Sequence, residues 1–311
     1  MPTIVHDELF KTGYFEGIQE NLKLFNGASE GCIVMTERRV KGDFEKEAYW
    51  NGVVPILDRD PTSNALRPEQ SFGELEHVGV KVPFKTPRMT MKYEEAYRGG
   101  RTMDEFSYQL GRSYAQSEMS HRLSAGIAAL KAATIAAGAT MNITSPTLDA
   151  TALADLLGAY GDQADLVKML LMHSGARTTL VKTAITSNRL GESGVVVYGA
   201  EPGTLGRPTL VRDDVALKET THWVVMALTA GAIEISDNSQ PPVLDSGKDS
   251  TKENISFYWT AEGTFNLKLK GYSWNTTAGG ANPTTAELAT TANWTKVATS
   301  NKALAAAKLV V

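Results

Sequence analysis

The sequence predicts an α+β protein organised around one long helix, and three observations carry that prediction. From Thr102 to Gly138 the chain reads TMDEFSYQLGRSYAQSEMSHRLSAGIAALKAATIAAG, free of proline and with apolar residues at helical spacing. HVGVKVPF (77–84) and ISFYWTAEGTFNLKLKGYSW (255–274) alternate with period two, as strands do. Residues 152–185 add a helix, a short apolar strand and a second helix. Helical and β periods occupying separate stretches of one chain define a mixed fold.

In the long helix Met103, Phe106, Leu110 and Tyr114 recur at three- and four-residue spacing, as do Leu123, Ile127 and Leu130, giving one inward stripe. Thr102 followed by Glu105 forms a capping box, and Gly138 is a natural stop. Such a rod is roughly 55 Å long at the rise of an α-helix. Its internal glycines, Gly111 and Gly126, are the expected weak points. A kink, or a split into two core helices near Gly111, is the alternative.

Ahead of the rod, DELFKTGYFEGIQENLKLF spaces Phe10, Tyr14, Ile18, Leu22 and Phe25 as an amphipathic helix. It is too short for a core and must lie on something else. Residues 36–100 are polar and broken by prolines, and 29 of the 66 charged residues fall in the first 100. The runs 77–84 and 88–97 are expected to pair as an exposed β-hairpin that finds its partner on another molecule. After the rod, ATMNITSPTLDA is a linker, VKMLLMH a buried strand, and Ser174 opens a helix. Residues 194–215 read as strand, turn and strand, and 222–237 as further strand. The stretch 238–253 reads as a polar loop, and 255–274 as a hairpin around Ala261-Glu262-Gly263. A Thr/Ala/Gly/Asn-rich patch (275–293) precedes WTKVATSNKALAAAKLVV, which is expected to close a sheet edge.

Composition and motifs bound the chemistry. A net charge of −4 without a Lys/Arg cluster leaves no electrostatic footprint for gripping nucleic acid. Cys32 is the only cysteine, which excludes internal disulfides and CxxC sites. The N-terminal stretch lacks a signal-peptide pattern and no apolar run approaches membrane length, so a soluble protein of a reducing compartment is expected. GASEG (27–31) matches the nucleophile-elbow pattern with Ser29 as nucleophile, but β-like CIVMT follows where a helix is required, and a glycine-rich turn is the plainer reading. His6, His77, His121, His173 and His222 never pair at metal-ligand spacing. His173 and His222 read as core-edge residues, and His121 as exposed. GAEPGTLG (199–206) resembles a phosphate loop only in its glycines. Asp213-Asp214 reads as a strand-end turn, and the sequons at Asn142, Asn254, Asn275 and Asn293 carry no weight without secretion. No catalytic, cofactor-binding or metal residue is expected, and no cofactor.

One region is more specific. LVKMLLMHSGARTTLVKTAI, LGRPTLVRDDV and HWVVMALTAGAIEIS, with Leu171-Met172-His173-Ser174, Leu180, Leu205-Gly206-Arg207-Pro208, Asp213-Asp214 and the run Ala227 to Ile235, resemble the signature region of tailed-bacteriophage major capsid proteins of the Hong Kong 97 type. The resemblance implies an N-terminal arm (1–35), an extended β-hairpin loop (36–100), a spine helix with peripheral domain (101–145), an axial domain (146–215), and return strands with a C-terminal segment (216–311). It implies a virion shell protein, not an enzyme, whose hexamers and pentamers form an icosahedral shell around double-stranded DNA without sequence-specific binding, assembled in the host bacterial cytoplasm. Its partners would be its own copies, a separate scaffolding protein, a portal and decoration proteins, with no membrane. An encapsulin-like compartment and a hydrolase using Ser29 are the alternatives.

Overall fold

The computed structural model describes residues 7–38, 40–51, 73–98, 103–186, 204–237, 243–251 and 253–311, with isolated positions between 56 and 69. The chain runs α1 (Asp7–Ala28), β1 (Ile33–Glu37), β2 (Phe44–Asn51), β3 (Gly73–Lys85), β4 (Met89–Lys92), α2 (Tyr93–Arg98) and the spine α3 (Met103–Ala136). It continues through β5 (Asn142–Thr144), α4 (Ala150–Gly158), β6 (Val167–Met172), α5 (Ser174–Thr186), β7 (Thr209–Val211), β8 (Val224–Thr229), β9 (Ile233–Asp237) and β10 (Val243–Asp249). β11 (Ser256–Leu269), β12 (Tyr272–Trp274), α6 (Thr276–Gly279), α7 (Thr285–Leu288), β13 (Trp294–Lys296) and β14 (Ala306–Val310) complete it. His6, the turn residues 199–203 and the expected strand at 194–198 lie outside the described residues, as does Thr102 of the expected capping box.

α3 is one helix of 34 residues, neither split nor interrupted. Its glycines mark close approaches, not breaks. A β-carbon on Gly126 would lie 3.1 Å from Ile233, and one on Gly111 would strike α1. Past Ala136 the chain turns at Gly138, whose φ of 93° suits glycine. The apolar stripe is buried as expected at Tyr114, Leu123, Ile127 and Leu130.

Two sheets flank the spine. One has the order β5-β14-β8-β6-β7, with β14 parallel to β5 and antiparallel to β8. The C-terminal strand therefore sits inside a sheet, not at its edge. Its alanines explain the placement, since small side chains let α3 approach a fully buried strand. This sheet takes strands from both sides of residue 215. The other sheet runs β1-β9-β11-β12-β13, with β2, β3, β4 and β10 attached. β8 and β9 belong to different sheets although only Ala230, Gly231 and Ala232 separate them. Gly231, at φ 67°, supplies the turn.

β11 corrects two expectations. It is a single strand of 14 residues, so no hairpin turns at Ala261-Glu262-Gly263. Gly263 is a close approach, because a β-carbon there would lie 2.5 Å from the Phe84 ring. The real turn is at Gly271, φ 78°. Residues 243–249, expected as loop, form β10 and pair with β11 from Val243↔Glu262 to Asp249↔Ser256. Asp245, Ser246 and Lys248 hide a strand that lies at a sheet edge, where polar residues are at home.

The 77–97 region is also corrected. Its two runs do not pair with each other. Both lie end to end along β11 of the same chain, Lys85 opposite Glu262 and Met89 opposite Trp259. The link is one residue longer than the β11 segment it faces, a bulge at Thr86-Pro87. Proline has no N–H for the ladder, which breaks there. Residues 93–97, expected as strand, belong to the short helix α2. The hairpin within 36–100 is formed instead by β2 and β3, from Phe44↔Val80 to Asn51↔Gly73.

Candidate assembly elements and the buried joint

α1, expected from the sequence to lie on something else, packs on its own spine. Gly13 and Gly17 meet Tyr108 and Ala115, while Gly111 meets Phe10, so two small-residue faces bring the helices together. Phe10, Tyr14 and Ile18 are buried there with Tyr114, Trp259 and Ala261. The Phe10 ring lies 5.3 Å from Trp259 and 5.9 Å from Tyr114. Burying each such side chain stabilises the seat by about 1.5–3 kcal/mol. Outside, Tyr108 donates to Glu16 at 2.6 Å and Arg112 pairs with Glu20 at 2.9 Å. These exposed contacts add little.

Beneath this seat lies a buried ionic joint. Arg122 contacts Glu118 one turn earlier on α3 and Asp237 of β9 at 3.2 Å. The Glu118 and Arg122 side chains are 2% and 5% exposed. Burial holds the Glu118 carboxyl above its usual range, against the opposing pull of Arg122. Burial and the Glu118 charge likewise push the Tyr14 and Tyr114 phenols far up. The sequence signal for this joint was the Glu118/Arg122 spacing on a helix, one turn apart, but their burial could not be read from it.

The β11 ribbon is the second element. β4 and β10 flank its first half, β3 and β9 its second. Among the described residues β2 pairs only with β3 and β10 only with β11, leaving one edge of each open. Between β2 and β3, Ile56 and Leu66 are 98% and 97% exposed. A cavity of about 610 Å³ lies at the ribbon's end between α2 and the β10–β11 turn, lined by Lys92, Glu95, Arg98, Lys248 and Glu253.

In the five-stranded sheet, the signature residues cap and brace. Asp213 accepts from Ser174 N–H at the start of α5, and the Ser174 hydroxyl, followed by this N–H, holds its carboxyl below the usual range. Asp214 accepts from Ala216 N–H, so the two carboxylates serve different turns. Arg212 donates to the Ser120 carbonyl and to the Ser120 and Ser124 hydroxyls, tying this sheet to the spine. The His173 ring packs against Trp223 in a tilted arrangement, centroids 4.9 Å apart.

Ser174, His173 and Asp213 imitate a catalytic triad in composition only. Ser174 Oγ and Asp213 both approach Nδ1 of His173, at 3.4 Å each, and Gly175 N–H donates to that same nitrogen. A relay needs nucleophile and acid on opposite ring nitrogens. Ser29 is buried at the end of α1, and its hydroxyl donates to the Ile33 carbonyl at 3.0 Å. Glu30 and Gly31 follow with positive φ, the expected turn. His77 Nε2 lies 2.9 and 2.8 Å from the Leu269 and Tyr272 carbonyls, bracing the β11–β12 turn. His121 was expected exposed, yet it is half-buried between the rings of Phe84 and Phe265. His222 exchanges backbone hydrogen bonds with Glu219. Asn142, Asn275 and Asn293 use their side chains to cap helices and bind carbonyls. Among the described residues no group of His, Cys, Asp and Glu is placed to hold a metal ion, and no described helix is long and apolar enough to cross a membrane.

A long spine between two sheets, with a β-ribbon running beside it, matches the Hong Kong 97 type fold of solved phage capsid chains. The family model for Gp13-like proteins, described as major capsid protein 13-like, matches residues 3–307, and the chain belongs to that family. Its role is therefore structural. A solved chain of Mycobacterium phage Bobi is 12% identical with a TM-score of 0.50, covering 89% of this chain and 88% of that one. A chain from the acid-stable capsid of Helicobacter pylori bacteriophage KHP30 is 9% identical with a TM-score of 0.51, covering 92% and 89%. At such identities the likeness is one of fold. No curated protein matches the chain in sequence.

Proposed function

We propose that copies of this chain assemble as hexamers and pentamers into an icosahedral shell enclosing double-stranded phage DNA. The observation that carries the reading is the pair of open strand edges on β2 and β10, beside the bare Ile56 and Leu66. Unpaired edges and exposed apolar side chains are a liability for a lone molecule and a resource for one that packs among copies of itself. The open edges of β2 and β10 then lie against neighbouring subunits, and the region 146–215 gathers around the symmetry axes. Closed symmetry is the function and no reaction is catalysed. With a net charge of −4 the subunit contains DNA without gripping it. A separate scaffolding protein, a portal and decoration proteins are the further partners, with assembly in the bacterial cytoplasm and location in the virion. The test is to express the chain alone and with a scaffolding partner and view the product by negative-stain microscopy. Closed shells are expected, and a monodisperse monomer under every condition overturns the reading.

A further inference from the structure

The joint beneath α1 holds two carboxylates against one guanidinium. Glu118 and Arg122 come from α3 and Asp237 from β9. α1 faces the cluster with Tyr14, and α3 adds Tyr114. β11 contributes the Phe265 ring, 5.9 Å from the Arg122 guanidinium, and Trp259, which packs edge-on against Tyr114. His121 lies beside the cluster between Phe84 and Phe265, where burial, and after it the Arg122 charge, hold its ring below the ordinary histidine range. Among the described residues Glu118 Oε2, Arg122 Nε and the Tyr114 hydroxyl are buried without a hydrogen-bond partner. With both carboxylates ionised the cluster carries a net negative charge in an apolar setting, which is costly.

We propose that Glu118 is a proton-uptake site that tightens the seat of α1 on the spine as pH falls. A proton on Glu118 removes its repulsion with Asp237, leaves Arg122 paired with Asp237, and relieves the buried excess charge. The direction agrees with the environment of the carboxyl, which burial already drives towards the neutral form. The sign follows from linkage. A carboxyl raised in the docked state favours docking fully below the ordinary Glu value of about 4.3, and this contribution is lost as pH rises through the raised value. Lifting α1 removes Tyr14 and Phe10 from above the cluster and admits water, so α1 is the element that responds.

Amide hydrogen exchange on the full chain tests this between pH 4.5 and 8, corrected for intrinsic rates. Protection of α1 relative to β8 in the other sheet is expected to fall by up to about tenfold per pH unit within the window, the limit for one proton. Glu118→Gln is expected to give α1 the acid-level protection at every pH. Asp237→Asn removes the like charge and is expected to shift the transition to lower pH. Flat protection in the native chain, or a pH dependence that survives Glu118→Gln, overturns the proposal. Should Glu118→Gln fail to fold, an unmoved transition in Asp237→Asn overturns it.

Discussion

Gly111 of the spine and Phe10 of α1 touch backbone to backbone: a β-carbon on Gly111 would lie 2.3 Å from the Phe10 carbonyl oxygen. No flexible side chain is available to give way there. Gly111→Ala therefore pushes the helices apart. The cost of overpacking is about 1–3 kcal/mol, against a gain of about 1 kcal/mol in helix propensity. Gly27, in the same α1, has nothing within 4 Å of its would-be β-carbon. Gly27→Ala is expected to be neutral or stabilising by up to about 1 kcal/mol. Urea unfolding of the two variants separates close approach from a general effect of glycine. Equal shifts in both would show that the contact is not what places Gly111.

Phe10 carries the apolar half of the seat. It is fully buried among Tyr14, Tyr114 and Trp259. Phe10→Ala is expected to cost about 3–5 kcal/mol and to make α1 the first segment cut in limited proteolysis. Cleavage elsewhere before α1 would mean that the seat is held by other contacts.

How much of this was legible in the sequence depends on which force shapes each element. α1, α3 and β6 were readable because burial on one face, or on both, writes a period or an unbroken apolar run. β10 was not, since its Asp245, Lys248 and Asp249 belong to an edge strand and read as loop. Gly263 and Gly111 looked like a turn and a kink, because a glycine needed for a close approach carries the same letter as one needed for conformational freedom. The fold family was visible in Leu171-Met172-His173-Ser174 and the order of elements. The Glu118–Arg122–Asp237 joint was not, because Asp237 comes from a distant strand and only the tertiary fold brings it to the spine.

Cys32 offers a probe of core integrity. It is buried under β8, with Sγ 3.9 Å from the Leu228 carbonyl, and burial, reinforced by the Glu30 charge, pushes its thiol up to about 11. The thiolate is the reactive form, so at pH 8 only about one thiol in a thousand is ionised. The native chain is expected to leave a colorimetric disulfide reagent untouched, and the urea-unfolded chain to consume one equivalent. Rapid reaction in the native state would place Cys32 outside the core.

Ser29 separates a turn residue from a nucleophile. Its hydroxyl donates to Ile33 and its backbone N–H to Phe25, and no histidine is among its partners. Ser29→Ala is expected to cost about 1 kcal/mol and to leave turnover of ester substrates at the level of the buffer. A loss of measurable esterase activity on substitution would restore the hydrolase reading.

The bulge at Thr86-Pro87 is held by a side chain. Thr86 donates its own N–H to the Ala261 carbonyl at 2.9 Å, and its hydroxyl oxygen accepts from Ala261 N–H at 2.8 Å. That second bond stands in for a ladder bond the irregular register does not provide, and Ala261 is fully buried. Thr86→Val keeps the shape and the β propensity but leaves the Ala261 N–H without an acceptor. An orphaned buried donor costs about 1–3 kcal/mol. Thr86→Ser, which keeps the hydroxyl, is expected to recover most of it. Because Ala261 lies beside Trp259 beneath α1, the loss should also appear as faster amide exchange in the middle of β11, with β8 unchanged. A Val variant as stable as the native chain would mean that water or a shifted backbone satisfies Ala261, and that the register of the ribbon is set by β10 and β9 instead.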